Sequence, residues 1–287
     1  MLHVSFQIQV PGSLPGAKLV TYIQDYSDHL AIEKRPLVLI CPGGGYASTS
    51  DREGESIALQ FLAMGYHAAV LRYSCAPARF PAALLELAYS MALIRGNARE
   101  WHVDEEKIVV QGCSAGGHLA ASLGMFWNED FIADTLSAVS PEHDVFRPDG
   151  MILCYPVITS GEYAHTGSFE CLLGNRGREL SERLSLEKQV NKDTPKAFIW
   201  HTFEDQAVPV ENSLLLVNAL RREGISTEFH MYPKGGHGLS LANKLTDHKD
   251  GGCVQEECQS WINLAHIWME HMAPVGVGKG EYRWPHL

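Results

Sequence analysis

The chain has 287 residues, 45% hydrophobic and 20% charged, an ordinary balance for a globule with one sizeable core. Its formal net charge of −11 comes from 23 Lys and Arg against 34 Asp and Glu. With no basic stripe anywhere, that charge argues against a nucleic-acid partner. No stretch approaches about 18 apolar residues, and the start "MLHVSFQIQVPGSLPG" has no basic region leading into an apolar one. Neither a membrane span nor a signal peptide is expected, and the expected location is cytoplasmic.

Residues 3–10 alternate in part, and "AKLVTYIQ" follows a turn rich in Pro and Gly, which predicts an opening antiparallel hairpin. "RPLVLICPGGGY" reads as a buried strand running into a tight glycine loop. "EGESIALQFLAMG" has helical spacing and a glycine stop, "YHAAVLRYS" is a strand, and "FPAALLELAYSMALIRGNAREW" predicts a long amphipathic helix with Pro81 in its first turn. "KIVVQG" and "AGGHLAASLGMF" give the next strand and helix. "DGMILCYP" continues the sheet, and then residues 158–194 break the rhythm with polar sequence and no long apolar period. The alternation returns with "KAFIWHT", "VENSLLLVNALRREG" and "STEFHMYP". After a long polar loop, a closing helix carries Trp261, Leu264, Ala265, Trp268 and Met272 on one face, as core packing.

Strand and helix in alternation, with strands that are unbroken apolar runs, predict an α/β fold. The expected sheet is mainly parallel and doubly wound, with helices on both faces. No repeat or linker divides the chain, so residues 1–287 are expected to form a single domain. The tail "APVGVGKGEYRWPHL" could pack on that domain or on a partner, and the sequence sets no oligomeric state. The seven cysteines include no CxxC. Cys41, Cys75, Cys113 and Cys154 lie in or beside apolar runs, which suits buried thiols in a reducing compartment. Cys253, Cys258 and His248 fit no common zinc spacing, so no metal is expected.

The segment "VVQGCSAGGHLAAS" places Ser114 in a G-x-S-x-G pattern. Alone the pattern is weak; its position between a buried strand and a helix is where a nucleophile elbow belongs. A serine hydroxyl needs a base. His237, in the glycine-lined "KGGHGLS" after the last strand, is the best placed of the 14 histidines. His118 sits one helical turn beyond Ser114 and points into packing or solvent, while His201 belongs to a strand and reads as a core histidine. Asp205, in the loop "HTFEDQAVP", supplies the carboxylate that orients the imidazole, with Glu204 as the neighbouring alternative. The order Ser, Asp, His is that of α/β-hydrolases. In "PGGGY", the backbone N–H groups of Gly44 and Gly45, with that of Ala115, can face an oxyanion. The loop lacks the endings of a P-loop or a dinucleotide fingerprint, and no cofactor is expected.

Together "CPGGGYASTSDREGESIAL", "LRYS", "GCSAGGHLAASLG", "YPVIT", "HTFEDQAVPVENSL" and "GGHGLSL" resemble the α/β-hydrolase serine esterases near the hormone-sensitive lipase group. They are most similar to the acetyl-xylan-esterase-like and feruloyl-esterase-like branch. The similarity runs from about residue 35 to residue 270. It implies a carboxylesterase acting on short acyl esters, with acetyl groups on sugars or small oligosaccharides as the expected substrates. Ser114, Asp205 and His237 match the family's triad, and Gly44, Gly45 and Ala115 match its oxyanion hole. Tyr46 and His165 are candidates for substrate contacts. Pro42 departs from the histidine that usually opens the lipase-type loop. No large N-terminal cap is present, so residues 158–194 and 241–253 are expected to cover the site. Two other readings use the same residues: an amidase such as an arylformamidase, and a hydrolase-fold binding protein without catalysis.

Overall fold

The computed structural model describes residues 1–272; the tail 273–287 lies outside the described residues. β1 (Ser5–Gln7) and β2 (Lys18–Tyr22) form the opening antiparallel hairpin, with Ser5 opposite Val20. Then come β3 (Arg35–Cys41), α1 (Glu55–Ala63), β4 (His67–Arg72), α2 (Ala82–Gly96), β5 (Val103–Cys113), α3 (Ala115–Phe126), α4 (Asp130–Thr135) and β6 (Gly150–Cys154). The chain continues through α5 (Thr166–Leu173), α6 (Arg178–Arg183), β7 (Ala197–Thr202), α7 (Glu211–Arg222), β8 (Thr227–Tyr232) and α8 (Trp261–Glu270). One 8-stranded sheet runs β1-β2-β4-β3-β5-β6-β7-β8. β2 is antiparallel to β4, and every later pairing is parallel. Among the described residues, no helix is long and apolar enough to cross a membrane.

The unbroken apolar runs follow from burial on both faces. Leu37 and Leu39 of β3, Ile108 and Val110 of β5, and Met151 and Leu153 of β6 join one core with α2, α3 and α7. The alternating residues Val38, Ile40, Val109, Ile152, Phe198 and Trp200 join a second core with α1 and α8. A period of two therefore divides each strand between two apolar layers, and no polar face interrupts it.

Three elements differ from their sequence reading. α2 is buried around most of its circumference, from Ala82 to Ile94 and including Glu86 and Ser90, because it packs against both α3 and α4 as well as the core; it has no broad polar face. The segment 158–194 contains α5 and α6. The apolar anchors of α5, Phe169, Leu172 and Leu173, fill a single turn, too short to show a period. The closing helix buries Trp261, Ala265 and Trp268 as expected, Met272 is buried just past its end, and Leu264 is only partly buried. Gly43–Gly45, Ser114, Asp205 and His237 all follow the carboxyl ends of strands, the edge where open α/β sheets hold ligands.

Candidate active site

Ser114 stands alone between β5 and α3 with φ 54° and ψ −120°. A non-glycine residue there carries strain of about 1–3 kcal/mol. The surrounding backbone holds it: Ser114 N–H donates to the Cys154 carbonyl at 3.0 Å, and Val157 N–H donates to the Ser114 carbonyl at 3.1 Å. The flanking glycines are required by close approach. A β-carbon on Gly112 would lie 2.1 Å from the Gly116 carbonyl oxygen, and one on Gly116 would lie 2.1 Å from that of Cys41. α3 thus rests directly on the backbone of β3 and β5, which fixes where the serine hydroxyl projects.

The structure brings the three distant side chains together. His237 Nε2 is 2.7 Å from Ser114 Oγ, and His237 Nδ1 is 2.6 Å from Asp205 Oδ2. The carboxylate accepts at Nδ1–H, so Nε2 is the free acceptor for the serine proton. Glu204, the alternative carboxylate, is exposed and accepts from Gly235 N–H at 3.3 Å, away from the imidazole. Asp205 is buried, which opposes its charge. Hydrogen bonds from His201 and His237, with Val208 N–H, outweigh burial and hold its carboxyl well below the usual range. His201 is the core histidine expected, with a second role. Its Nε2 faces the Val208 carbonyl at 2.9 Å and Asp205 Oδ2 at 3.3 Å, so it carries the hydrogen, while Nδ1 accepts from Ser213 Oγ at 2.8 Å.

The glycine loop lies against Ser114. A β-carbon on Gly43 would be 3.0 Å from Ser114 Cβ. Gly44 (φ 131°) and Gly45 (φ 63°) adopt left-handed backbone, and a β-carbon on Gly44 would lie 2.2 Å from the Ser48 carbonyl oxygen. Among the described residues, the N–H groups of Gly44, Gly45 and Ala115 have no backbone or side-chain acceptor. The start of α3 adds its dipole beside Ala115.

Tyr46 turns its side chain towards the core. Its side chain is buried at 3% exposure and its hydroxyl bonds His118 Nδ1 at 2.9 Å, so it braces the loop from the core side. His118 Nε2 lies 2.9 Å from the Leu184 carbonyl and must donate to it, leaving Nδ1 to accept from Tyr46. This neutral histidine ties the oxyanion loop, α3 and the 158–194 segment together. Burial lowers its pKa to about 4, against the Leu184 hydrogen bond. The unfolded chain binds that proton near about 6.5. The stabilisation is therefore complete above about 6.5 and is lost as pH falls towards 4, by on the order of 3 kcal/mol. Thermal unfolding followed across that window is expected to show the loss, and His118→Gln to show less of it. An unchanged slope in the variant would assign the loss elsewhere; His67, also lowered to about 4 by burial, is another such group.

His165 caps α5. Its Nδ1 accepts from Ser168 N–H at 3.3 Å and from Ser168 Oγ at 2.8 Å, which puts the hydrogen on Nε2. Its Cε1 lies 4.0 Å from where a β-carbon on Gly45 would sit. Burial lowers its pKa, helped by the charge of His237 and opposed by Asp205. The 158–194 segment thus reaches the glycine loop. The 241–253 segment packs on Arg52, whose Nε donates to the Thr246 carbonyl at 2.6 Å. Among the described residues, no group of three or more His, Cys, Asp or Glu side chains could hold a metal ion.

Two residues escaped the sequence reading. Glu53, 3% exposed, accepts from Gly43 N–H at 2.8 Å through one oxygen and from Tyr155 O–H at 2.7 Å through the other. The Tyr155 ring meets the His237 ring edge to face, with centroids 5.2 Å apart. Glu53 sits in "SDREGES", which reads as a solvated turn; no local signal marks it.

A family model described as BD-FAE matches residues 25–220, well over half of the chain. The chain belongs to the BD-FAE family. The match includes the glycine loop, Ser114 and Asp205, and stops short of His237. Among curated relatives, endo-1,4-beta-xylanase B of Butyrivibrio fibrisolvens is 42% identical over 217 residues, 73% of this chain and 33% of that protein. An acetylxylan esterase of Xylanibacter ruminicola is 28% identical over 228 residues, 77% of this chain and 44% of that protein. The chain spans between 33% and 53% of the length of the curated relatives it matches. An acetyl ester-xyloside bifunctional hydrolase from Caldicellulosiruptor lactoaceticus superposes with a TM-score of 0.75 at 37% identity, over 88% of this chain and 87% of that one. The carboxylesterase Cest-2923 from Lactobacillus plantarum gives 0.79 at 28% identity, over 94% and 97%. The fold is that of the α/β-hydrolases.

Proposed function

We propose that this chain is a serine carboxylic ester hydrolase that removes acetyl groups from sugars or small oligosaccharides. One observation carries the reading: the unbroken hydrogen-bonded series Ser114, His237, Asp205 at 2.7 and 2.6 Å, set on a strained strand-to-helix turn. As Ser114 Oγ attacks the ester carbonyl carbon, its proton passes to His237 Nε2. Asp205 holds the imidazole in the accepting tautomer and stabilises the imidazolium. The carbonyl oxygen takes up negative charge facing the N–H groups of Gly44, Gly45 and Ala115. The C–O bond breaks, the proton on Nε2 goes to the departing alcohol, and an acyl-serine remains. Water then attacks by the same route, releasing the carboxylic acid and restoring the serine.

The names of the acetylxylan esterase and the acetyl ester-xyloside hydrolase support acetylated sugars as the substrate class. The xylanase name belongs to a protein of which this chain matches a third. A hydroxyl nucleophile with an imidazole base suits acyl transfer, whereas glycosidic cleavage uses a carboxylate pair. Seven unpaired cysteines support a cytoplasmic, reducing location. The test is a fluorophosphonate probe with a substrate panel of acetylated xylo-oligosaccharides, p-nitrophenyl esters of rising length, feruloyl esters and a formyl amide. Labelling at Ser114 with preference for acetyl sugars is expected. Absence of labelling would return the chain to a binding role, and faster formyl-amide turnover would make it an amidase.

In this reading the 158–194 segment walls the substrate, and His165 Nε2–H donates to a sugar hydroxyl. His165→Asn keeps a good helix cap but is too short to reach. It is expected to lower kcat/KM for acetylated xylo-oligosaccharide about tenfold and to leave p-nitrophenyl acetate, which has no hydroxyl, within about threefold. Equal losses on both substrates would remove His165 from recognition of the alcohol.

A further inference from the structure

Glu53 is a buried carboxylate outside the triad, and both of its oxygens are used. Oε2 accepts from Gly43 N–H at 2.8 Å and Oε1 from Tyr155 O–H at 2.7 Å. The Tyr155 oxygen in turn accepts from Ser240 N–H at 2.9 Å. Ser240 lies three residues beyond His237 on the same loop, and its own hydroxyl donates to the Arg52 carbonyl at 2.6 Å. Trp261 Nε1–H closes the group by donating to the Ser240 carbonyl at 2.9 Å. Tyr155 has φ 38°, a left-handed backbone that the packing around it must hold, and its ring rests edge to face on His237. The two loops that must meet at Ser114 come from opposite ends of the chain. The oxyanion loop follows β3 and the histidine loop follows β8, four strands away across the sheet. Glu53 is bonded to the first directly and to the second through Tyr155.

We propose that Glu53 is a positioning residue that sets the oxyanion loop and the histidine loop in register with each other, acting directly on Gly43 and through Tyr155 on Ser240 and His237. The inference rests on the esterase reading above. A carboxylate suits the task because it accepts two hydrogen bonds on separate oxygens and donates none. Gln at this position can still accept from Gly43 N–H through its oxygen, but its NH₂ then meets the Tyr155 hydroxyl. The tyrosine proton loses its carboxylate acceptor, and the Tyr155 oxygen must take the amide beside Ser240 N–H, which disturbs the tie to the histidine loop while the oxyanion loop keeps its own. Misplacement of reacting groups by about 1 Å is enough to cost on the order of 10² in rate.

The test uses the full chain and p-nitrophenyl acetate, with each preparation titrated by a fluorophosphonate so that kcat is expressed per reactive Ser114. E53Q and Y155F are each expected to lower kcat per reactive serine by about 10–100-fold with KM within about threefold. The double variant is expected to be close to the worse single one, because both remove the same bond. A merely structural glutamate would lower the melting temperature and the number of titratable serines while leaving kcat per serine unchanged, and that result overturns the proposal. A rise in KM at constant kcat also overturns it, since it would put Glu53 on the substrate side. Wild-type protein that neither turns over esters nor takes the probe would instead overturn the esterase reading itself.

Discussion

Ser114→Ala is expected to reduce p-nitrophenyl acetate hydrolysis by on the order of 10⁶ in kcat, and to abolish fluorophosphonate labelling, while leaving the chain folded. The size follows from the mechanism. Without the hydroxyl no acyl-enzyme forms, and His237 has no proton to take. What remains is attack by water on an ester bound beside Gly44, Gly45 and Ala115, which such a hole accelerates by about 10³–10⁴ over water alone. The fold is spared because the Ser114 side chain makes one hydrogen bond, to His237, and none to the surrounding scaffold. The backbone strain at φ 54° is the same for alanine as for serine. Removing a hydroxyl whose only partner is another site residue leaves stability within about 1 kcal/mol of the parent. Rates per folded molecule, with folding followed by circular dichroism, check both halves. A variant that kept more than about 1% of the parent rate would place the nucleophile elsewhere.

Why these residues were readable and others were not follows from how far each signal travels along the chain. β3, β5 and β7 announce themselves because burial on both faces leaves continuous apolar runs. Ser114 and Asp205 each stand at the end of such a run, while His237 follows the edge strand β8 in a turn marked by its glycines. The glycines around Ser114 were legible as space for a close approach; the partner, the Cys41 carbonyl on a neighbouring strand, was not. Strand order was hidden too, since β4 sits between β2 and β3 without any local mark. α5 and α6 are too short for periodicity, and α2 is buried on too many sides to show the polar stripe expected of it. The inward placement of the Tyr46 side chain is hidden for a related reason. An aromatic residue after a glycine loop reads as a substrate platform until His118, 72 positions away, takes its hydroxyl. Glu53 is the extreme case. Its surroundings consist of Gly43 and a tyrosine 102 positions distant, so its burial has no counterpart in the polar residues beside it.

Asp205→Asn has the second-largest expected effect, and the hydrogen-bond pattern around the carboxylate says why an isosteric change is so costly. Oδ1 accepts from Ala207 N–H at 3.0 Å and from Val208 N–H at 2.9 Å. Oδ2 accepts from His237 at 2.6 Å and from His201 at 3.3 Å. Asparagine has one oxygen and one NH₂ to divide between those two sides. The backbone N–H groups cannot turn into acceptors, so the oxygen stays with them and the NH₂ faces the imidazoles. His201 is held with its hydrogen on Nε2 by the Val208 carbonyl and cannot accept. His237 is free to change tautomer. It accepts at Nδ1 and moves its hydrogen to Nε2, directly opposite Ser114 Oγ, where it can no longer take the serine proton. The expected loss is about 10⁴ in kcat with little change in KM. Protein stability should also fall, because the Asn NH₂ meets the His201 Nε2–H donor in a buried site. Steady-state kinetics and thermal unfolding of the one variant measure both. If Asp205→Asn lost less than about tenfold in kcat, the orientation of His237 would have to come from another group, and the carboxylate would be only a structural anchor for the loop after β7.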